Sequence, residues 1–525
     1  MLGFFKRWMS SSAPPENSGP LLRMSLGPDT NSENHTMIQF FTWDAHRPDM
    51  SWWQHLAAEA PRLADLGITQ IWIPPAHKAL SKNGQGYDAY DLWDLGEFNQ
   101  KDTIATRWGT KDELLQAVAT AKQHGIDVLI DAVLNHKLGA DGTEVFNAIP
   151  SNDQNRTQDI GPAREIEGWT VFGFPGRGDK YSTMHWTHQH FTGLDWDNRT
   201  KMQGVFRIVS KRHKGWSKNV DKERGNYDYL LGVDIDHRHP EVRKDMFAWG
   251  SWVLDTTGAA GFRLDAIKHI DSKFLLEWIR RARKSSPDRS NSFVVAEYWS
   301  ANIKLVQNYV RLFQREIAFF DVPLHHNFHD ASRLGPKYDL RGILKNSLTS
   351  LYPNDAVTFV DNHDTQVGQS LQSWVDANFK LQAYALILLR GQGHPCIFYG
   401  DLYQNEECYD EATSQGVIIL SRARREYAFG PLKDLFIHQN CIGFVRSGTT
   451  NKPGCVVVLS NAPEDTPRER CTIRAEVGQY WAGRRYTGLF APHESIEVPA
   501  GGGDTEFWCP PGKLQVWVPA PSSSS

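Results

Sequence analysis

Short apolar runs alternate with helical patterns along most of this chain, and no other feature constrains its fold as much. MIQFF (Met37–Phe41), TQIWIPP (Thr69–Pro75) and IDVLIDAV (Ile126–Val133) read as strands buried on both faces. So do AGFRLD (Ala260–Asp265), SFVVAE (Ser292–Glu297), EIAFFDV (Glu316–Val322), AVTFVDN (Ala356–Asn362) and PCIFYGD (Pro395–Asp401). Between the second and third lies a well-marked helix. Thr110 and Glu113 form a capping box, Leu114, Leu115, Val118 and Ala121 make an apolar stripe, and Gly125 stands where a C-cap belongs. A second helix is expected at Lys273–Arg283, and Pro61 is expected in the first turn of an earlier one, where its missing N–H costs nothing. Eight alternating units predict an α/β fold, a (β/α)8 TIM barrel.

Two stretches break the alternation. Residues 137–239, rich in Gly, Asp, Trp and His, are too long for a loop and predict a subdomain inserted after the third strand. Residues 435–520 contain short alternating segments such as CIGFVRSG, GCVVVLSN and KLQVWVPA, which predict a C-terminal antiparallel β domain, a β-sandwich. The barrel would then be built from 34–136 and 240–434. Residues 1–33 read as a disordered tail, because the apolar run Leu2–Phe5 is cut by Lys6 and Arg7 and is too short for a signal peptide.

Composition excludes some partners. The formal net charge of −4 gives no electrostatic reason to expect nucleic acid or an anionic membrane. No stretch approaches the roughly 20 apolar residues needed for a membrane span. The cysteines (Cys396, Cys408, Cys441, Cys455, Cys471 and Cys509) lack CxxC spacing and are expected to be reduced thiols of a cytoplasmic, monomeric protein. The 19 Trp and 16 Tyr suit a carbohydrate site, because sugars offer flat C–H faces for stacking, but from the count alone a large core is the plainer explanation.

In a barrel, reactive side chains come from the C-terminal ends of strands. Here the third strand ends at Asp131, Asn135 and His136, and the fourth carries Arg263 and Asp265. The fifth ends at Glu297, and the seventh at Asp361, Asn362, His363 and Asp364. A single carboxylate at a strand end is usually a helix cap. Arg263 two residues before Asp265 is different, because both side chains project from the same side of the strand, and a cation there keeps the carboxylate ionised.

DAVLNH (Asp131–His136), GFRLDAIKH (Gly261–His269), VAEYW (Val295–Trp299) and FVDNHD (Phe359–Asp364) resemble, in order and spacing, the four signature segments of the α-amylase family of glycoside hydrolases. GYDAYDLWDLGEF, FPGRG, GNYDYLLGVDID and FDVPLHHNFHDAS resemble most the liquefying bacterial type and its intracellular fungal relatives. The resemblance implies a retaining endo-hydrolase of α-1,4-glucans, with a 4-α-glucanotransferase using the same site as the alternative, and a noncatalytic binding protein as a third. It implies Asp265 as nucleophile, Glu297 as general acid and base, and Asp364 as stabiliser of the transition state. Tyr87 would stack beneath the sugar ring, with His136 and His363 bonding to it; Arg263 would stand beside the nucleophile, and Lys268 and His269 on the leaving-group side. It further implies one structural Ca2+ held by Asn135, Asp228, Asp234 and the backbone carbonyl of His269. The additional metal ions of the liquefying type are not implied, because Thr192, Ser217 and Arg238 stand where that pattern has Asp.

Overall fold

The computed structural model describes residues 34–209, 215–290 and 292–520; the two expected tails, 1–33 and PSSSS, lie outside them. All eight expected strands form, as β1 (Met37–Gln39), β2 (Gln70–Trp72), β3 (Asp127–Ala132), β4 (Gly261–Leu264), β5 (Phe293–Ala296), β6 (Ala318–Phe320), β7 (Ala356–Phe359) and β8 (His394–Phe398). They are parallel and close into a barrel, with β1 hydrogen-bonded to both β2 and β8. Nearly every strand residue is buried, because helices cover the outer face. The register sets Arg263 of β4 level with Asp131 of β3, and Leu264 level with Ala296 of β5. Asp131 and Arg263 are therefore level, with Asp265 and Glu297 two positions further toward the barrel mouth.

Helix α1 runs Trp52–Asp65, and α2 runs Lys111–Gln123 with the expected Thr110–Glu113 capping box. The expectation for Pro61 fails. Ser51 caps α1 reciprocally with Gln54, so the helix starts nine residues before Pro61, which stands in its interior. Its ring removes the amide that would donate to Ala57, and packing of Trp53, Leu56, Ala60 and Leu63 against the barrel holds the helix through that loss. Helix α3 (Pro240–Thr257) ends at Gly258, whose φ of 73° is the left-handed C-cap conformation. Ser272–Lys284 forms the helix expected at 273–283.

Between β3 and β4 the chain builds a six-stranded sheet from segments between His136 and Ile235. Its edge strand His136–Lys137 pairs with Val233–Ile235, so the sheet is anchored directly to the end of β3. After β8 a short helix, Tyr399–Leu402, precedes a long one, Glu411–Tyr427, capped by Asp410. The C-terminal part forms an antiparallel six-stranded sheet with a two-stranded sheet of Thr472–Ala475 and Thr505–Trp508. Ile442, Phe444, Val457 and Leu459 join the barrel core, and Gln382 bonds the carbonyls of Ser460 and Gly512 across the junction. All six cysteines are free thiols. Among the described residues, no helix is long and apolar enough to cross a membrane.

Candidate active site

The mouth of the barrel holds four carboxyls around one guanidinium. Arg263, whose side chain is only 1% exposed, donates from Nη1 to Asp131 (2.9 and 3.0 Å) and Asp265 (2.7 Å), and from Nη2 to Glu297 (2.6 Å). Asp131 also accepts from Trp72 Nε1 (2.9 Å) and the Tyr87 hydroxyl (2.8 Å). Backbone links hold the level: the amide of Asp265 donates to Ala132 and that of Glu297 to Leu264. Ala266 sits at φ 47°, a strained conformation for a residue with a Cβ, and its amide turns to Glu297 Oε2 (3.3 Å).

Electrostatics follow from this geometry. One positive charge cannot balance three buried carboxylates and the part-buried Asp364, so protons are retained. Burial raises the Asp265 carboxyl to about 6, with Arg263 opposing and Asp131 adding to the rise. Burial also raises Glu297; Arg263 opposes, Asp265 adds, and a hydrogen bond between the two carboxyls favours the proton on Glu297. Asp364 is pushed well up by burial and then by Glu297. The arrangement favours the negative charge on Asp265 and the proton on Glu297, so one carboxyl can attack as the other donates.

A cleft of about 370 Å³ opens above these groups, and Asp265, Glu297, Asp364, Tyr87, His136, His363, Lys268 and His269 line it together. Arg263 lies beneath it and holds carboxylates rather than the cleft surface. Tyr87 stacks flat on His363 (5.0 Å, 6°). Gln39 Nε2 donates to His363 Nδ1 (2.9 Å), leaving Nε2 to face Asp364 Oδ2 at 3.4 Å. Burial lowers His136 to about 4 and His269 to about 3, so both are neutral. His136 gives its Nε2 proton to the Tyr87 carbonyl (2.8 Å) and so fixes the stacking ring. His269 pairs with the Tyr227 carbonyl (2.7 Å), while Lys268 bonds Glu223 (2.6 Å) over the rings of Tyr227 and Tyr298. Trp43, Tyr227 and Trp299 also line the cleft without having been singled out by sequence, since a loop aromatic carries no periodic signal.

Asn135, Asp228 and Asp234 gather where the inserted sheet meets β3, each 1% exposed or less. The Oδ1 atoms of Asn135 and Asp234 are buried without a hydrogen-bond partner. Burial raises Asp228 to about 7 and also raises Asp234 well above the usual carboxylate range, with Asp228 adding to the rise. Orphaned hard oxygens from separate segments fit a Ca2+ ion. The three departures have defined roles here. Thr192 donates its hydroxyl to Asp234, Ser217 its hydroxyl to Asp271 (2.8 Å), and Arg238 its guanidinium to Asp236 (2.6 Å).

A separate trio, His190, His239 and Glu241, brings its ligand atoms within 4.8 Å of one another. The Thr187 amide donates to His190 Nδ1 (2.9 Å), which puts the ring proton on Nε2, against Glu241 Oε2 at 3.1 Å. A metal-bound imidazole needs the reverse tautomer, so the trio reads as a hydrogen-bonded anchor of α3.

A family model for the α-amylase catalytic domain matches residues 53–425. The chain is 41% identical over 495 residues to an α-amylase of Geobacillus stearothermophilus, spanning 94% of this chain and 88% of that one. It is 39% identical over 500 residues to a cytoplasmic α-amylase of Escherichia coli (strain K12), spanning 92% and 99%. It is 40% identical over 490 residues to a glucan 1,4-α-maltohexaosidase of Bacillus sp. (strain 707), spanning 93% of each. Among solved structures, the α-amylase of Geobacillus thermoleovorans complexed with acarbose shares the fold, with a TM-score of 0.59 at 15% identity, covering 94% of this chain and 99% of that one.

Proposed function

The chain belongs to the α-amylase family of glycoside hydrolases, and on that footing we propose that it hydrolyses internal α-1,4 bonds of starch, glycogen or maltodextrins with retention at the anomeric carbon. The observation that carries the mechanism is the single buried guanidinium of Arg263 bonded at once to Asp265 and Glu297. Asp265 attacks the anomeric carbon as Glu297 gives its proton to the departing glycosidic oxygen, leaving a glycosyl ester on Asp265. Glu297, now ionised, takes a proton from water as that water attacks the same carbon from the opposite side and Asp265 leaves. Asp364 and His363 Nε2 bond ring hydroxyls, and Tyr87 supports the ring as it flattens toward the oxocarbenium-like state. His136 acts on the sugar by fixing Tyr87, and Lys268 and His269 line the side toward the leaving group.

Hydrolysis is favoured over 4-α-glucanotransfer by relatives named for α-amylase and maltohexaosidase activity. One Ca2+ belongs to this reading, held by Asn135, Asp228, Asp234 and the His269 carbonyl; when bound it neutralises the paired carboxylates and ties the inserted sheet to β3. A cytoplasmic monomer is also part of the reading, supported for location by likeness to the cytoplasmic enzyme of Escherichia coli and by six unpaired thiols. The test is digestion of pure maltoheptaose. New reducing ends are expected as the α anomer, with mainly shorter products at low substrate. An initial β product would overturn retention, and longer chains dominating would transfer the reading to glucanotransferase.

A further inference from the structure

Three loops rise from the barrel mouth beside the cleft, after β1, β7 and β8, and one side chain joins them. Glu407, on the loop after β8, accepts from the Thr42 hydroxyl through Oε1. Its Oε2 accepts from the Asp44 amide (3.1 Å) and from Gln366 Nε2. Gln366 in turn accepts the amide of Trp43 through Oε1 (3.2 Å). Thr42 is fully buried and Gln366 is 2% exposed, so losing the acceptor would strand donors away from water. The loop that carries Glu407 is itself fixed, because Asn405 accepts the amides of Glu407 (3.0 Å) and Cys408 (2.8 Å) and donates to the Gly400 and Tyr403 carbonyls.

What the latch holds is a ring of the cleft wall. Trp43 lies parallel to Tyr87 (5.9 Å, 4°) and to His363 (6.0 Å, 3°), extending the flat surface beneath the reacting sugar. Its backbone is gripped on both sides, its own amide by Gln366 and the next amide by Glu407. We infer that Glu407 is a positioning residue that sets the Trp43 ring against the bound glucan and so governs how the chain seats across Asp265 and Glu297. This rests on the hydrolase reading above. A ring on a loose loop would still stack, but in many orientations, and binding would lose the benefit of a fixed one.

The experiment compares the full-length protein with Glu407→Ala, Glu407→Gln, Trp43→Ala and the double variant Trp43→Ala/Glu407→Ala, using maltoheptaose labelled at its reducing end. Glu407→Ala is expected to raise KM by roughly two- to ten-fold, the worth of one aromatic contact, with kcat changed less. Its distribution of cleaved bonds should move toward that of Trp43→Ala, and the double variant should be no worse than Trp43→Ala alone. Glu407→Gln, which keeps one acceptor oxygen, should fall between wild type and Ala; if the Ala variant does not fold, this one decides. Wild-type KM and bond distribution in a folded Glu407 variant, or additive effects in the double variant, would overturn the latch alone. A wild-type protein that leaves maltoheptaose uncut would overturn the hydrolase reading and this inference with it.

Discussion

Asp131, Asp265 and Glu297 share one guanidinium at the barrel mouth, whereas Asp228 and Asp234, at the junction with the inserted sheet, have no Lys or Arg hydrogen-bonded to them among the described residues. Arg238 stands near the second pair but gives its hydrogen bonds to Asp236 and to the carbonyls of Gly215 and Trp216. Both groups are buried, and burial alone raises both. The difference lies in the source of the positive charge. In the first it is covalently part of the chain, always present and fixed in direction, as a nucleophile and acid that must keep distinct protonation need. In the second, Asp228 and Asp234 accept from the Ser217 amide and the Thr192 hydroxyl while Asp234 Oδ1 has no partner, so on the proposed reading the compensating charge is a cation taken from solution.

Charge removal at the mouth should have the largest effect. Asp265→Asn and Glu297→Gln keep side-chain size and should each lower kcat by about 10³-fold or more in assays on soluble starch, with unfolding temperature near wild type. A folded Asp265→Asn protein retaining a tenth of normal turnover would break the assignment. Arg263→Met comes next. It leaves three carboxyls without their cation and should cost roughly 3–5 kcal/mol in denaturant unfolding, with activity lost. An Arg263→Met protein as stable as wild type would mean the guanidinium is not what holds the cluster.

At the junction the effect should depend on the ion. Chelation should lower the unfolding temperature and Ca2+ restore it, by the equivalent of about 3–4 kcal/mol at 100 to 1,000 times the dissociation constant. Asp234→Ala should remove that response, and metal analysis returning three tightly bound ions would refute the single-site reading. The pH profile sharpens the contrast further. Asp265 has its carboxyl raised to about 6, so it loses its negative charge as pH falls through that value. Reading the coupled pair as one system, kcat/KM should fall about tenfold per unit below roughly pH 6. A plateau extending to pH 4 would contradict it. Smallest is Thr192→Val, which removes the hydroxyl donated to Asp234 and should cost about 1 kcal/mol while leaving the Ca2+ response in calorimetry intact.

The barrel and most of the site were legible in the sequence because both depend on local pattern. Buried parallel strands are continuous apolar runs, so a polar residue ending one, such as Glu297 or Asp265, stands out. Asp131 was visible as a strand end, but its bond to Arg263 comes from register between β3 and β4, which no single strand encodes. Pro61 alone is a poor marker of a helix start; Ser51 and Gln54, with capping-box spacing, mark the true start of α1. The Glu407 latch was illegible for a different reason. It joins loops more than 300 positions apart through hydrogen bonds without periodicity, and only the closed barrel brings them together.

Pairing of β1 with β8 also has a consequence for synthesis. The first strand of the barrel waits for the last, with the whole inserted sheet and six further strands made in between. At ribosomal rates of about 5–20 residues per second, that wait is on the order of tens of seconds. Any sheet formed before β8 arrives would have Met37–Gln39 as an unpaired edge, the kind that pairs with other chains. Premature termination anywhere before Phe398 would release that edge permanently.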